Sequence, residues 1–211
     1  MHNNNGIVIG SHNGLVIGSH NSLSYLPLKH WWQKPLRIFA RCQSMTLQEQ
    51  YDAGVRLFDI RVRYSNSDGR MVFCHNMVIY DYSVEDFVSD LERFEEPVYI
   101  RFILDIRKKP KNAEENLNSF LSFLFKLTHR FKEKIILNEA LVFWEHKDYA
   151  PSRFRYLFYC GSYSSISDTF YRFLPPCCFA KVYNKQLKNL PLSSDDGRDC
   201  LLIDFVNLYL K

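Results

Sequence analysis

Between Val55 and Arg63 the chain alternates so cleanly that both its conformation and its surroundings are constrained. Arg56, Phe58, Ile60 and Val62 fall on one face of an extended strand, and Val55, Leu57, Asp59, Arg61 and Arg63 on the other. The apolar face can pack on helices, which leaves Asp59 and Arg61 aimed together from the opposite face of the sheet. Buried charges are costly unless paired or used. Asp59 and Arg61 therefore read either as a structural ion pair or as working groups, and an inward arginine near a strand's end is a natural phosphate clamp.

The flanks of this strand have a regular order. Ser44 to Ala53 reads as a helix with Ser44 as N-cap, closed by Gly54. Asn66-Ser67-Asp68-Gly69 is a turn, and Met71 to Cys74 returns as a strand ending at His75. Ser83 caps a helix to about Phe94, Val98 to Ile106 is a strand, and a longer helix runs from Ala113 to Phe131. Ala140 to Trp144, Arg155 to Cys160, Cys178 to Tyr183 and Cys200 to Val206 are further strands, so the last third is expected to be strands and loops. Alternating strands and helices imply an α/β fold on a parallel sheet. About eight strands make it a small, distorted (β/α)₈ TIM-type barrel that lacks some outer helices.

The N-terminus holds a short tandem repeat, Gly6 to Asn13 and then Gly14 to Asn21, too short for a solenoid unit. The second copy leads into Ser22-Leu-Ser-Tyr25, so it takes the barrel position with His20. The first copy, with His12, is an extension: residues 1–13 precede a barrel domain of residues 14–211. There is no basic leader and no run of about 18 apolar residues, so neither a secretory signal nor a membrane span is expected. Cys42, Cys74, Cys160, Cys177, Cys178 and Cys200 lack metal-type spacing, and reduced thiols in a cytoplasmic or membrane-peripheral protein are the simpler reading. A net charge of +4 does not call for nucleic acid. Its basic run, Arg107, Lys108, Lys109 and Lys111, then Arg130, Lys132 and Lys134, reads as a solvated face or an attraction to anionic lipid.

Strand ends collect the remaining chemistry. His20 follows Leu15-Val-Ile17 through Gly18-Ser19, and His75 lies 14 residues beyond Arg61 at the end of its own strand. Asp204 stands alone in the apolar segment Leu201 to Val206. In a parallel barrel the C-terminal ends of the strands gather the working groups. Two histidines, which can both take and give a proton near neutral pH, together with an arginine, suit phosphodiester chemistry without a metal. Arg101 and Asp105 share a face of their strand and are candidates for contact with a polyol head group or for a salt bridge. Trp31 and Trp32 are adjacent, so they cannot share one core face, and they suit a lipid interface or loop packing.

These blocks resemble a known family. Ile17-Gly-Ser-His20-Asn21-Ser-Leu-Ser-Tyr25 looks like the histidine loop that opens the X-domain of phosphatidylinositol-specific phospholipases C. Cys42 to Val62 is similar to its next block, a helix ending in Gly before a strand bearing Asp-x-Arg. Cys74-His75-Asn76 resembles its second histidine block, with Asn76 where the family usually has glycine. The match covers residues 14 to 106, and Leu201 to Val206 is similar to the family's last, aspartate-bearing strand.

The resemblance implies cleavage of inositol phospholipids in two steps on a distorted barrel. His20 would be general base on the inositol 2-hydroxyl and His75 general acid on the leaving oxygen. Arg61 would stabilise the phosphoryl charge, Asp204 would orient His20, and Asp59 would hold Arg61 in place. Metal-independent bacterial members usually carry Asp after the first histidine; here it is Asn21, counted among the substrate-binding candidates with Arg101 and Asp105. Asn at that position is a metal ligand in calcium-dependent eukaryotic members, but those have an acid where this chain has Arg61. A cation there repels Ca²⁺, so no metal and no cofactor are expected. A weaker acid at His75 and slow turnover would follow. The expected partners are a phospholipid or phosphodiester substrate and, transiently, a membrane surface, with the protein a monomer. The alternatives are a glycerophosphodiester or lysophospholipid phosphodiesterase, disfavoured by the scarcity of acids near the histidines, and a catalytically impaired lipid- or phosphate-binding module of the same fold.

Overall fold

The computed structural model describes residues 16–75, 77–105, 113–131, 135–137, 142–143, 158–159, 175–178, 180, 184 and 200–209. Outside these lie the extension with His12, Asn76, Cys160 and the basic residues Arg107, Lys108, Lys109, Lys111, Lys132 and Lys134.

The strands are β1 (Val16–Ser19), β2 (Leu57–Ser65), β3 (Arg70–His75), β4 (Val78–Ile79), β5 (Val98–Leu104), β6 (Ile135–Leu137), β7 (Val142–Phe143), β8 (Phe158–Tyr159) and β9 (Cys200–Ile203). A 3-10 turn (Trp31–Leu36) runs into α1 (Arg37–Ala40), followed by α2 (Leu47–Asp52), α3 (Val84–Glu92), α4 (Ala113–Arg130) and a last helical turn, Val206–Tyr209. The described strands form one mixed sheet. β8, β9, β1, β2 and β5 pair parallel in that order, and β6 and β7 both pair with β5. Among the described strands only β3 is reversed, pairing antiparallel with β2 on one side and with the short β4 on the other.

The two faces of β2 divide as its alternation implies. Phe58, Ile60 and Val62 join the core under α3 and α4, with Phe73, Phe87, Phe102, Phe120 and Phe123. The rings interlock at offset and edge-on angles, Phe58–Phe94 at 5.4 Å, Phe73–Phe87 at 5.1 Å and Phe102–Phe123 at 5.5 Å. Each fully buried Phe contributes on the order of 2–3 kcal/mol relative to exposure, so this layer fixes the sheet rigidly against its helices. The working side chains project from the other face.

Several expectations are corrected. The cap of α2 is Thr46, not Ser44: Thr46 and Glu49 exchange bonds as a capping box, which Ser44, three residues before Leu47, cannot form. Ser44 Oγ instead donates to Asn207 Oδ1 at 3.0 Å. Pro176–Cys178, Ala180 and Asn184 are helical, where a strand was expected over Cys178 to Tyr183. Pro176 opens that segment, and its fixed φ suits a first helical turn. β9 ends at Ile203 and β5 at Leu104, so Asp204 and Asp105 sit one residue past their strands. Strands Ile135–Leu137 and Val78–Ile79 were not anticipated. Cys42, Cys74, Cys177 and Cys178 are thiols rather than disulfides.

Candidate active site

Strand register assembles the site. Ser19 pairs with Phe58 on one side and with Ile203 on the other, so the next residues, His20 and Asp204, leave the ladder side by side. The backbone N–H of His20 still donates to Ile203 O at 3.0 Å. β3 runs antiparallel along β2, and its C-terminal end therefore returns toward the end of β1. That reversal brings His75 opposite His20, with ring centroids 6.3 Å apart and planes at 87°. Arg61 and Asp59 come from β2 itself.

Protonation follows from what each partner can do. Arg61 can only donate, and its Nη2 lies 2.7 Å from His20 Nε2, so that nitrogen is the acceptor. His20 Nδ1–H then donates to Asp204 Oδ1 at 2.7 Å. The ring is thus neutral, with its lone pair on Nε2 facing a guanidinium. His75 Nδ1–H donates to Ala40 O at 2.9 Å, which leaves its Nε2 as acceptor too. Burial, reinforced by the Arg61 cation, pushes the His75 pKa well below the ordinary imidazole value.

Asp59 is the hub beneath these groups and is wholly buried. Burial alone would raise its pKa, but the Arg101 and Arg61 cations outweigh it and hold the carboxyl below its usual range. Its Oδ2 accepts the Asn21 backbone N–H at 3.1 Å and lies 3.5 Å from Arg61 Nη2, and its Oδ1 is 3.7 Å from Arg101 Nε. Arg101 thus sits against Asp59, half-buried, and Asp105 is half-buried just past the strand.

Asn21 lies underneath rather than on an open wall. It is 1% exposed, in a left-handed conformation (φ 45°) that asparagine tolerates, and its Nδ2 donates to Ala40 O at 3.1 Å and Tyr80 Oη at 3.3 Å. It shares the Ala40 carbonyl with His75. Sequence reasoning did not find this carbonyl, because a backbone oxygen leaves no mark in residue types. Nor did it find Gln43, Tyr80 and Asn184, whose Nδ2 donates to Asp204 O at 2.8 Å.

His20, Cys42 and Asp204 offer ligand atoms within 4.8 Å of one another. The His20–Asp204 contact of 2.7 Å is shorter than the roughly 3.3 Å between two ligands on a tetrahedral zinc. Burial, with the Asp204 charge beside it, also pushes the Cys42 thiol well above its ordinary pKa. At this spacing His20 and Asp204 are joined by a hydrogen bond.

The chain is similar to phosphatidylinositol-specific phospholipase C from Listeria monocytogenes, with 18% identity over 92% of this chain and 91% of that one and a TM-score of 0.58. It is also similar to a variant of the phosphatidylinositol-specific phospholipase C from Staphylococcus aureus, at 17% identity, 93% and 87% coverage and a TM-score of 0.59. A further structure of the Staphylococcus aureus enzyme, solved in work on its membrane binding, gives 17%, 95% and 89%, and 0.56. No family model matches the chain, and no curated protein matches it. The chain therefore shares the fold that its sequence blocks resemble.

Proposed function

We propose that this chain is a metal-independent phosphodiesterase that cleaves phosphatidylinositol-type lipids to diacylglycerol and a cyclic inositol phosphate. One observation carries the reading: two imidazoles from distant segments face each other at 6.3 Å beside one guanidinium, with a carboxylate behind the first. That spacing lets both rings reach substituents of a single phosphorus.

His20 Nε2 takes the proton of the inositol 2-hydroxyl, whose oxygen then attacks phosphorus. The bond from phosphorus to the glycerol oxygen breaks, and His75 Nε2–H delivers a proton to that oxygen. Arg61 neutralises the phosphoryl oxygens, and Asp204 supports the imidazolium formed on His20. Without substrate, Arg61 occupies the His20 lone pair and His75 is neutral. An arriving phosphodiester anion changes both: it draws the guanidinium onto its own oxygens, and its charge favours protonated His75. Base and acid become competent together, in the complex.

Lipid access has a candidate route. Trp31, Trp32, Ile38, Phe39 and Met77 are all exposed, by 79% in the case of Trp31. Gln33 ties them into one ridge, its Nε2 donating to Met77 O at 2.9 Å and its Oε1 accepting Ile79 N–H at 3.0 Å. The ridge ends at Ala40, whose carbonyl orients His75. Pairing of the β7 and β8 edges would close the sheet into the barrel expected from the sequence.

A second reading, a lipid-binding module without turnover, draws on the hydrogen bonds that already engage His20, His75 and Asn21 within the protein. Phosphatidylinositol in mixed micelles with EDTA separates the two. Cyclic inositol phosphate released by wild type and not by His20→Ala supports catalysis; binding without product by either supports the module.

A further inference from the structure

His20 and Asp204 stand one residue beyond the ladder that pairs β1 with β9, so the last parallel register, Ser19 with Ile203, does not by itself fix their separation. Gln43 reaches both segments. It is fully buried, and its Nε2 donates to His20 O at 3.1 Å and to Ile203 O at 2.7 Å. Its Oε1 accepts Val206 N–H at 3.1 Å, so both N–H donors and the oxygen of the amide are engaged, one bond on the His20 segment and two bracketing Asp204. The residue before it assists: Cys42 O accepts Phe205 N–H, at 2.6 Å, from a non-glycine residue held at φ 50°. Such a backbone persists only where its surroundings impose it.

We infer that Gln43 is a positioning residue that sets the hydrogen bond between His20 Nδ1 and Asp204. A glutamine is suited to this where an acid or a hydrocarbon is not. Its two N–H groups serve two carbonyls, and its oxygen accepts the Val206 peptide N–H. Glutamate would set a carboxylate oxygen against two carbonyls, and methionine would take a donor from each carbonyl and the acceptor from Val206 N–H in a dry interior, leaving Ile203 O only the His20 N–H. Either change lets the Asp204 turn move relative to β1, and the imidazole loses the carboxylate that fixes its tautomer.

The inference uses the phosphodiesterase reading only for one of two measurements on the full-length chain. The first needs no substrate: the His20 Nδ1 proton is followed by NMR in wild type, Gln43→Met and Gln43→Glu, with Asp204→Ala marking the broken bond. The signal is expected to weaken by exchange, or to move toward its Asp204→Ala position, in variants that still unfold cooperatively. An unchanged signal in a folded variant overturns the inference. The second is kcat and KM on phosphatidylinositol. Loss of a partner that orients a reacting group costs about 10–100-fold, expected here in kcat with KM nearly constant. In an Asp204→Ala background the same substitution should cost no more than about 2-fold, because residues that act through one another are not additive. Fully multiplicative losses overturn it. If wild type does not turn over phosphatidylinositol, the phosphodiesterase reading fails and the proton signal alone decides on Gln43. Should Gln43→Met and Gln43→Glu not fold, Gln43→Asn keeps the amide one methylene shorter and carries both measurements.

Discussion

His75 shows how a single side chain's surroundings set its chemistry. It hydrogen-bonds a backbone carbonyl, which fixes its tautomer but brings no negative charge, and it lies beside Arg61. Its proton is therefore held weakly in the free protein and, on the function proposed above, more firmly once a phosphodiester anion is bound. The His75-dependent limb of the pH profile should accordingly lie at higher pH in kcat than in kcat/KM; coincident limbs would count against substrate-driven protonation. Folding carries the same signature. A histidine kept neutral by folding binds fewer protons in the folded than in the unfolded state, so stability is intact above the unfolded value near 6.5 and declines as pH falls toward the folded pKa. His75→Gln, which keeps a donor for Ala40, should flatten a Tm-against-pH profile below about pH 6.5. Substitution of His20, Arg61 or His75 by alanine should each reduce turnover at least ~10²-fold, and a near-normal rate removes that residue from its role. Residue types disclosed these groups because acids, bases and cations at strand ends are visible in a sequence. The Ala40 carbonyl and the downward turn of Asn21 were not legible, since both depend on where the backbone goes after His20.

The elements were legible wherever local chemistry decides them. Ser83 caps α3 as read, with Asp86 completing a capping box, and β2 keeps its two faces. What failed was governed by neighbours. Ile135–Leu137 is a strand because β5 offers it an edge, and two or three residues leave no periodicity to read. Thr46 displaced Ser44 as a cap because the reciprocal partner, Glu49, lies three residues beyond Thr46. The link from α2 into β2 turns on Gly54, at φ 94°, where a Cβ would meet nothing within 4 Å. Gly54→Ala therefore meets no steric clash and acts through backbone strain alone, about 1–2 kcal/mol. A lower Tm with kcat within about 2-fold is the expected outcome. A large loss of kcat at unchanged Tm would mean instead that this turn sets the placement of Asp59 and Arg61.

At the scale of the whole molecule, the parallel sheet was readable from the alternation of elements, and the place of the site followed from its register. The exposed ridge was only half legible. Adjacent tryptophans suggested that one ring is exposed, but Ile38, Phe39 and Met77 join them only through the fold. No helix among the described residues is long and apolar enough to cross a membrane. A ridge carrying Lys34 and Arg41, both exposed, beside two tryptophans combines cationic and interfacial groups. Trp31→Ala with Trp32→Ala removes the aromatic part without touching the groups around His20. Sedimentation with phosphatidylinositol-containing vesicles should show binding reduced at least ~10-fold, since each interfacial tryptophan buries a large apolar surface. Turnover of vesicle substrate should fall in parallel, while a short-chain monomeric substrate is cleaved at the wild-type rate. Equal losses on both substrates would assign the tryptophans to the integrity of the site, and unchanged vesicle binding would move the membrane contact to another face.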